Sequence, residues 1–252
     1  MIKSKFRLIL DGVLIPFLVY VGITMFVAFI YGIVYGVTKS EAKINAIFVQ
    51  GIADAFVVFG LLPLYMFFIK KYAVHFDRVK VQNILYTIPL AFSICIICNI
   101  FIQFIPNAAN NQVSKEIIEM TETYNIWVSI ILISIFVPIV EELLFRGFFY
   151  DVVDKLKGPI YAIVITSIAF GIAHFNIEQG IYGLLAGLLL SYVRYKFGNL
   201  SYTIGMHLLM NFCSLIFVSP ILNLNDIREK MFVAFICAAI LALTLYRINM
   251  RK

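Results

Sequence analysis

Apolar runs long enough to cross a lipid bilayer follow one another almost without interruption along this chain. A spanning helix needs roughly 20 mostly apolar residues. Eight stretches meet or approach that length, at about 8–37, 44–69, 83–105, 125–155, 159–175, 179–197, 200–218 and 231–248. No stretch alternates apolar and polar residues in the manner of a half-buried strand. Within lipid, only helices and closed barrels satisfy their own backbone groups. The sequence therefore predicts an all-α fold, a polytopic membrane helical bundle of about eight transmembrane helices. Composition points the same way: 62% of the residues are hydrophobic and 13% charged, with a mean hydropathy of +0.97. Soluble domains are about 45–50% apolar and about 25% charged, so soluble function classes are excluded. The net charge of +6 comes with no basic run interleaved with polar residues, and nucleic acid is excluded as a partner. The length suits one membrane domain, residues 1–252. The opening "MIKSKFR" and the apolar run to about Val37 read as an uncleaved first membrane helix, because the run outlasts a signal h-region and lacks a small-x-small cleavage site.

The distribution of Lys and Arg orients the bundle. With the N-terminus inside and the spans alternating, the inner segments carry Lys3, Lys5 and Arg7, then Lys70, Lys71, Arg78 and Lys80, then Arg146, Lys155 and Lys157, then Arg194 and Lys196, and finally Arg247, Arg251 and Lys252. The outer segments hold only Lys39, Lys43, Lys115, Arg228 and Lys230 of the 20 basic residues. Positive charge gathers on the cytoplasmic side of membrane proteins, so both termini are expected inside. Glu41, Glu116, Glu119, Glu122, Glu178, Asp226 and Glu229 lie on outer segments.

Polar groups left within the spans are Asp11, Asp54, Glu141, Glu142, His174, His207 and Asn211, with Arg146 close behind. Each is expensive in hydrocarbon, which makes an intramembrane ionisable residue a functional candidate. Glu142 and Arg146 stand four apart and share a helix face; Glu141 is turned about 100° away from them. Phe170 and His174 share a face in the same way, as do His207 and Asn211. Helices four and five meet at the turn around Gly158 and Pro159. Glu141 lies 16 residues before Lys157 and His174 lies 16 after Gly158, which puts both about 24 Å of helix from that turn. His207 and Asn211 fall about 12–18 Å from the next inner turn, near Asn199. Three helices are thus expected to bring a carboxylate, two imidazoles and a carboxamide to one level. Such a set suits hydrolysis. A carboxylate takes a proton from water, an imidazole beside it orients the water or shuttles the proton, and a second imidazole with an amide N–H steadies an oxyanion. No G-x-S-x-G or H-E-x-x-H is present, and water is the simplest nucleophile.

The motifs E-E-x-x-x-R (Glu141, Glu142, Arg146), F-x-x-x-H (Phe170, His174) and H-x-x-x-N (His207, Asn211), in that order over about residues 125–218, resemble the CAAX protease and bacteriocin-processing family, also called the Abi family. The resemblance implies a membrane-embedded glutamate-type protease with a catalytic core at 125–218. It implies that Glu141, with His174, activates the water, that His207 and Asn211 form the oxyanion hole, and that Glu142 and Arg146 hold the site together. It implies no cofactor; a Zn²⁺ bound by Glu141, His174 and His207 is the chemical alternative. The expected partners are membrane lipid and a peptide or lipidated protein substrate: a prenylated C-terminus, a bacteriocin leader or a signal-peptide precursor. A bacterial cytoplasmic membrane is the expected location. The alternative function is a non-catalytic bacteriocin-immunity or scaffold protein of the same fold. A proton-coupled transporter ranks last, since no internal repeat is found.

The remaining polar residues read as structural. Phe170 is expected to pack. Asp11 lies near the inner surface, within reach of water. Asp54 needs a partner that the sequence does not name. His75 sits in a basic inner loop. Cys95 and Cys98 form a C-x-x-C, but they and Cys213 and Cys237 lie in apolar runs and read as small buried hydrophobes. Gly183, Gly187 and Ser191 recur every four residues, a spacing that lets helices approach closely, and are taken as packing.

Overall fold

A computed structural model describes residues 2–38, 46–73, 77–105, 126–216 and 226–250. Those residues form eight helical rods and no strand, as the apolar runs predict. We number them α1 (2–38), α2 (Ala46–Tyr72), α3 (Val81–Ile102), α4 (126–157), α5 (Pro159–Ile172), α6 (Ile177–Phe197), α7 (Leu200–Ile216) and α8 (Ile227–Met250). His75 and the acids at 41, 116, 119 and 122 lie outside the described residues. The chain is a multi-pass membrane protein of bundled helices. Five rods are long and apolar enough to cross a membrane (in α1, α2, α3, α4 and α8), and α5 and α7 are shorter apolar helices.

The sixth expected span forms a helix but falls outside that set. Helix α6 carries Glu178, Arg194 and Lys196 within its 21 residues. It packs against α5, α3 and α7, and its Arg194 is buried against protein while Lys196 at its end is exposed. The first rod is the opposite case. Only 6% of its apolar window is buried, and Phe17, Leu18, Met25, Phe26 and Phe29 point outward.

The ends of the rods are set by residues that break helices. Gly158 adopts φ +96°, and Pro159 at the first position of α5 supplies a helical φ and needs no N–H partner. Asn176 caps α6, its side chain accepting from the Gln179 N–H at 3.1 Å. Gly198 closes α6 in the left-handed region, at φ +64°, and donates its N–H to Arg194 O at 3.0 Å.

Side-chain and backbone bonds tie the basic ends together. Lys71 at the end of α2 pairs with Asp11 in α1. Asp77 N–H donates to Gly198 O at 3.2 Å, and Asn199 Nδ2 donates to Asp77 O at 2.8 Å. Tyr192 donates to Asn249 Oδ1 at 2.8 Å. The opposite end holds Lys230 against Gln103, 2.7 Å apart. The start of α1, the end of α2, the α6–α7 turn and the end of α8 therefore gather at one end of the bundle, as the alternation of spans requires. Arg146 and Arg194 correct that picture. Counted with the inner charges, both are buried, Arg146 completely.

Two apolar cores flank the polar residues. One joins α3, α6, α7 and α8 through Leu90, Leu190, Val193, Met206, Met210 and Ile248. The other joins α1, α2 and α4 through Leu61, Tyr65, Phe68, Leu143 and Phe148, and reaches α7 at Leu200. Helix α7 belongs to both, and α4, α5 and α7 meet where they adjoin.

A Cβ on Gly198 would fall against the Asp77 carboxyl group and would hold a left-handed φ. Gly198→Ala is expected to lower stability by about 1–3 kcal/mol, read as an earlier thermal unfolding midpoint in detergent.

Candidate active site

Helix α4 is not a regular α-helix where it carries the motif residues. It holds two π turns, Leu132–Phe136 and Leu143–Phe149, of the kind often found at functional sites. Between them lies Val137–Glu142, which brings Glu141 and Glu142 to the start of the second π turn. Beside each π turn a side chain from a later helix donates to a carbonyl of α4. Val137 N–H reaches back five residues to Leu132 O, and Asn211 Nδ2 of α7 donates to the next carbonyl, Ile133 O, at 3.1 Å. Tyr150 N–H reaches Phe145 O and Gly147 O, and Arg194 Nε of α6 donates to Arg146 O at 3.3 Å.

Glu142 is the hub. It is completely buried, and its Oε1 accepts from Arg146 Nη1 at 3.0 Å and from His207 Nδ1 at 2.9 Å. A carboxylate already paired with a guanidinium only accepts, so His207 Nδ1 carries a proton. His207 Nε2 is then turned toward Glu141, whose Oε2 lies 3.6 Å away. The Glu141 side chain is 25% exposed and His207 5%, so the open side of the pair is the Glu141 side. The i,i+4 pairing of Glu142 with Arg146 was legible from spacing. The bond from His207 was not, because it joins residues 65 positions apart.

Phe170 organises the other wall. The Arg146 guanidinium carbon lies 4.1 Å from its ring centre, a favourable cation–π distance. The imidazoles of His174 and His207 meet the same ring edge-on, with centroids at 4.8 and 5.9 Å. The expected packing role of Phe170 is thus specific: one ring spaces both histidines and the arginine. His174 takes its pose from the end of α5. Its backbone N–H turns to Gly171 O at 3.3 Å, and its ring Nδ1 donates to Phe170 O at 2.8 Å. A carbonyl only accepts, so Nδ1 is the protonated nitrogen and Nε2 is free to accept.

The small residues on α6 lie under these groups. A Cβ on Gly183 would stand 3.1 Å from His174 Cε1 and Nδ1, and one on Gly187 would stand 2.9 Å from Arg146 Nη2. Ser191 Oγ lies 3.2 Å from Thr166 Oγ1. The stripe read as packing is therefore the floor on which His174 and Arg146 rest.

A second buried network escaped the reading from spacing. Arg194 Nη2 pairs with Asp151 Oδ1 at 2.8 Å, and Tyr65 donates to Asp151 Oδ2 at 2.7 Å. Arg194 follows Gly187 and Ser191 on one face of α6, and that continuation of the small-residue face was the available signal. Asp54, whose partner was unnamed, accepts from Gln50 Nε2 at 2.9 Å; Gln50, one turn earlier, also donates to Tyr20 at 3.2 Å. Asp11 accepts from Lys71 and Tyr72. All four cysteines are buried and unbridged. Among the described residues, no three His, Cys, Asp or Glu side chains are grouped to hold a metal ion.

With Glu141, Glu142 and Arg146 placed on α4, His174 in the turn after α5, and His207 and Asn211 on α7, residues 123–213 match the family model described as type II CAAX prenyl endopeptidase Rce1-like. This segment is similar to the Rce1-like family. The resemblance read from the three motifs therefore stands over the helices that build the site. The Rce1-like segment spans α4 to α7, while α1, α2, α3 and α8 lie outside it. No curated protein and no solved structure matches the chain.

Removing one partner of a buried pair strands the other charge, at a cost of about 3–5 kcal/mol. Arg146→Met is expected to lower stability by about that much, and Glu142→Gln added to it to restore a large part; thermal unfolding of the single and double variants measures both. Gly183→Ala forces the His174 ring to shift by a few tenths of an ångström and is expected to leave stability within about 1 kcal/mol while changing the His174 imidazole NMR shifts.

Proposed function

We propose that the protein is an intramembrane endopeptidase of the CAAX prenyl endopeptidase type, in which Glu141 and His174 activate a water and His207 and Asn211 stabilise the oxyanion. The observation that carries this reading is the meeting of His207 with both glutamates within the Rce1-like segment. Glu141 is the more exposed carboxylate and the one with no arginine partner of its own, which suits a base that must reach water. His174 keeps Nε2 as an acceptor because Phe170 O holds the other nitrogen.

In the proposed reaction, water oxygen attacks the scissile carbonyl carbon and Glu141 takes a water proton. The carbonyl oxygen becomes an oxyanion. His207 Nε2, when it carries a proton, and the second N–H of the Asn211 amide donate to it. Collapse breaks the C–N bond, and the proton held by Glu141 passes to the leaving amine. Glu142, fixed by Arg146, keeps His207 turned to the substrate and acts as a positioning residue. The substrate class we propose is the C-terminus of a prenylated protein or a membrane-associated peptide such as a bacteriocin or signal-peptide precursor, in a bacterial cytoplasmic membrane. The reaction as written needs no metal.

Cleavage of an internally quenched farnesylated peptide ending in Cys-aliphatic-aliphatic-X, with the purified protein in lipid nanodiscs, tests the reading. Glu141→Gln is expected to lower kcat by about 10²–10⁴-fold with an unchanged unfolding midpoint. Activity at the parent level in both Glu141→Gln and His174→Ala overturns it. Chelator is expected to leave the rate unchanged; one equivalent of tightly held zinc with chelator-sensitive activity reassigns Glu141, His174 and His207 as ligands.

A further inference from the structure

We infer that Pro138 is a positioning residue for Asn211: by lacking an N–H, it leaves the Ile133 carbonyl open to hold the Asn211 amide. The inference rests on the proposed role of Asn211 as an oxyanion donor. Its geometry stands on the first π turn of α4. In that turn each N–H reaches back five residues, and the last such bond is from Val137 N–H to Leu132 O. The next donor in the ladder is residue 138, and five residues before it is Ile133. Residue 138 is proline, which has no N–H. Ile133 O is therefore skipped by its own helix.

A carbonyl inside a bilayer needs a partner. Asn211 Nδ2, from a helix 78 residues further on, supplies it at 3.1 Å. The bond has two consequences. It satisfies Ile133 O, and it spends one of the two amide protons of Asn211 so that the carboxamide cannot rotate. The second N–H is then held in one direction, as an oxyanion donor requires. His207 stands one turn before Asn211 on the same face of α7 and is held by Glu142 in the same way. Both proposed donors are thus oriented by α4, one by a side chain and one by a backbone carbonyl that proline has vacated.

Alanine at 138 restores an N–H at the point where the π ladder lacks one, and that N–H competes for Ile133 O. The variant separates positioning from structure, because replacing a proline inside a helix relieves an interruption and does not open a cavity larger than a few methylenes. Pro138→Ala is expected to unfold at or above the parent midpoint, while kcat on the farnesylated peptide falls about 10- to 100-fold with KM within about twofold. In an Asn211→Ala background the same change is expected to have no further effect on kcat. A second measurement needs no substrate: hydrogen exchange of the Asn211 side-chain amide, followed by NMR in protein labelled with ¹⁵N-asparagine, is expected to quicken at least about tenfold in Pro138→Ala. Parent-level exchange of that amide in Pro138→Ala overturns the inference, whatever the kinetics. If Glu141→Gln is as active as the parent while the amide exchange still quickens, the proposed reaction fails and the positioning of Asn211 by Pro138 stands.

Discussion

One carboxylate oxygen joins the parts of this bundle that the chain keeps far apart. Glu142 Oε1 accepts from Arg146 on its own helix and from His207 on α7, in surroundings where the glutamate is fully buried. A buried charge without partners costs several kcal/mol, so once Glu142 is inside, Arg146 and His207 must come to it. Arg146 then lies on the Phe170 ring, and that ring sets the edges of both imidazoles. The positions of α4, α5 and α7 follow from satisfying one acceptor and one aromatic face.

The two π turns of α4 extend the same logic to the backbone. Each turn widens the helix, and beside each a side chain of another helix donates to an α4 carbonyl. Asn211 reaches the carbonyl beside the first and Arg194 that beside the second, and Arg194 is itself held by Asp151, which also accepts from Tyr65. Local irregularity in α4 is therefore the means by which α6 and α7 are latched to it. In hydrocarbon there is no water to accept a misplaced carbonyl, and such latches are specific for that reason.

Much of the fold was legible because lipid imposes a length and a polarity on each span. All eight expected helices form, with shifts at the ends where local chemistry decides. The fifth stops at Ile172 and not near 175, because the Phe170 carbonyl is given to the His174 ring and the chain turns through Phe175 at φ +50°. The sixth forms over Ile177–Phe197, but Arg194, counted with the inner-side charges, is buried against an acid. Apolar content alone does not distinguish a helix bathed in lipid from one enclosed by other helices.

The sequence by itself determined the order of the helices among the described residues, the end at which basic residues gather, and the pairs set by i,i+4 spacing, such as Glu142 with Arg146 and Phe170 with His174. These depend on 1.5 Å and 100° per residue and on nothing beyond. Only the tertiary structure decided that Glu142 is the hub and Glu141 its more exposed neighbour, which nitrogen of each histidine is free, that Asn211 holds Ile133, and that Gly183 and Gly187 lie beneath His174 and Arg146. Each of these is a contact between helices separated by a loop. Helical periodicity gives the direction of a side chain about its own axis, but the neighbour it meets depends on the rotation and crossing of a second axis, which packing of the whole bundle sets.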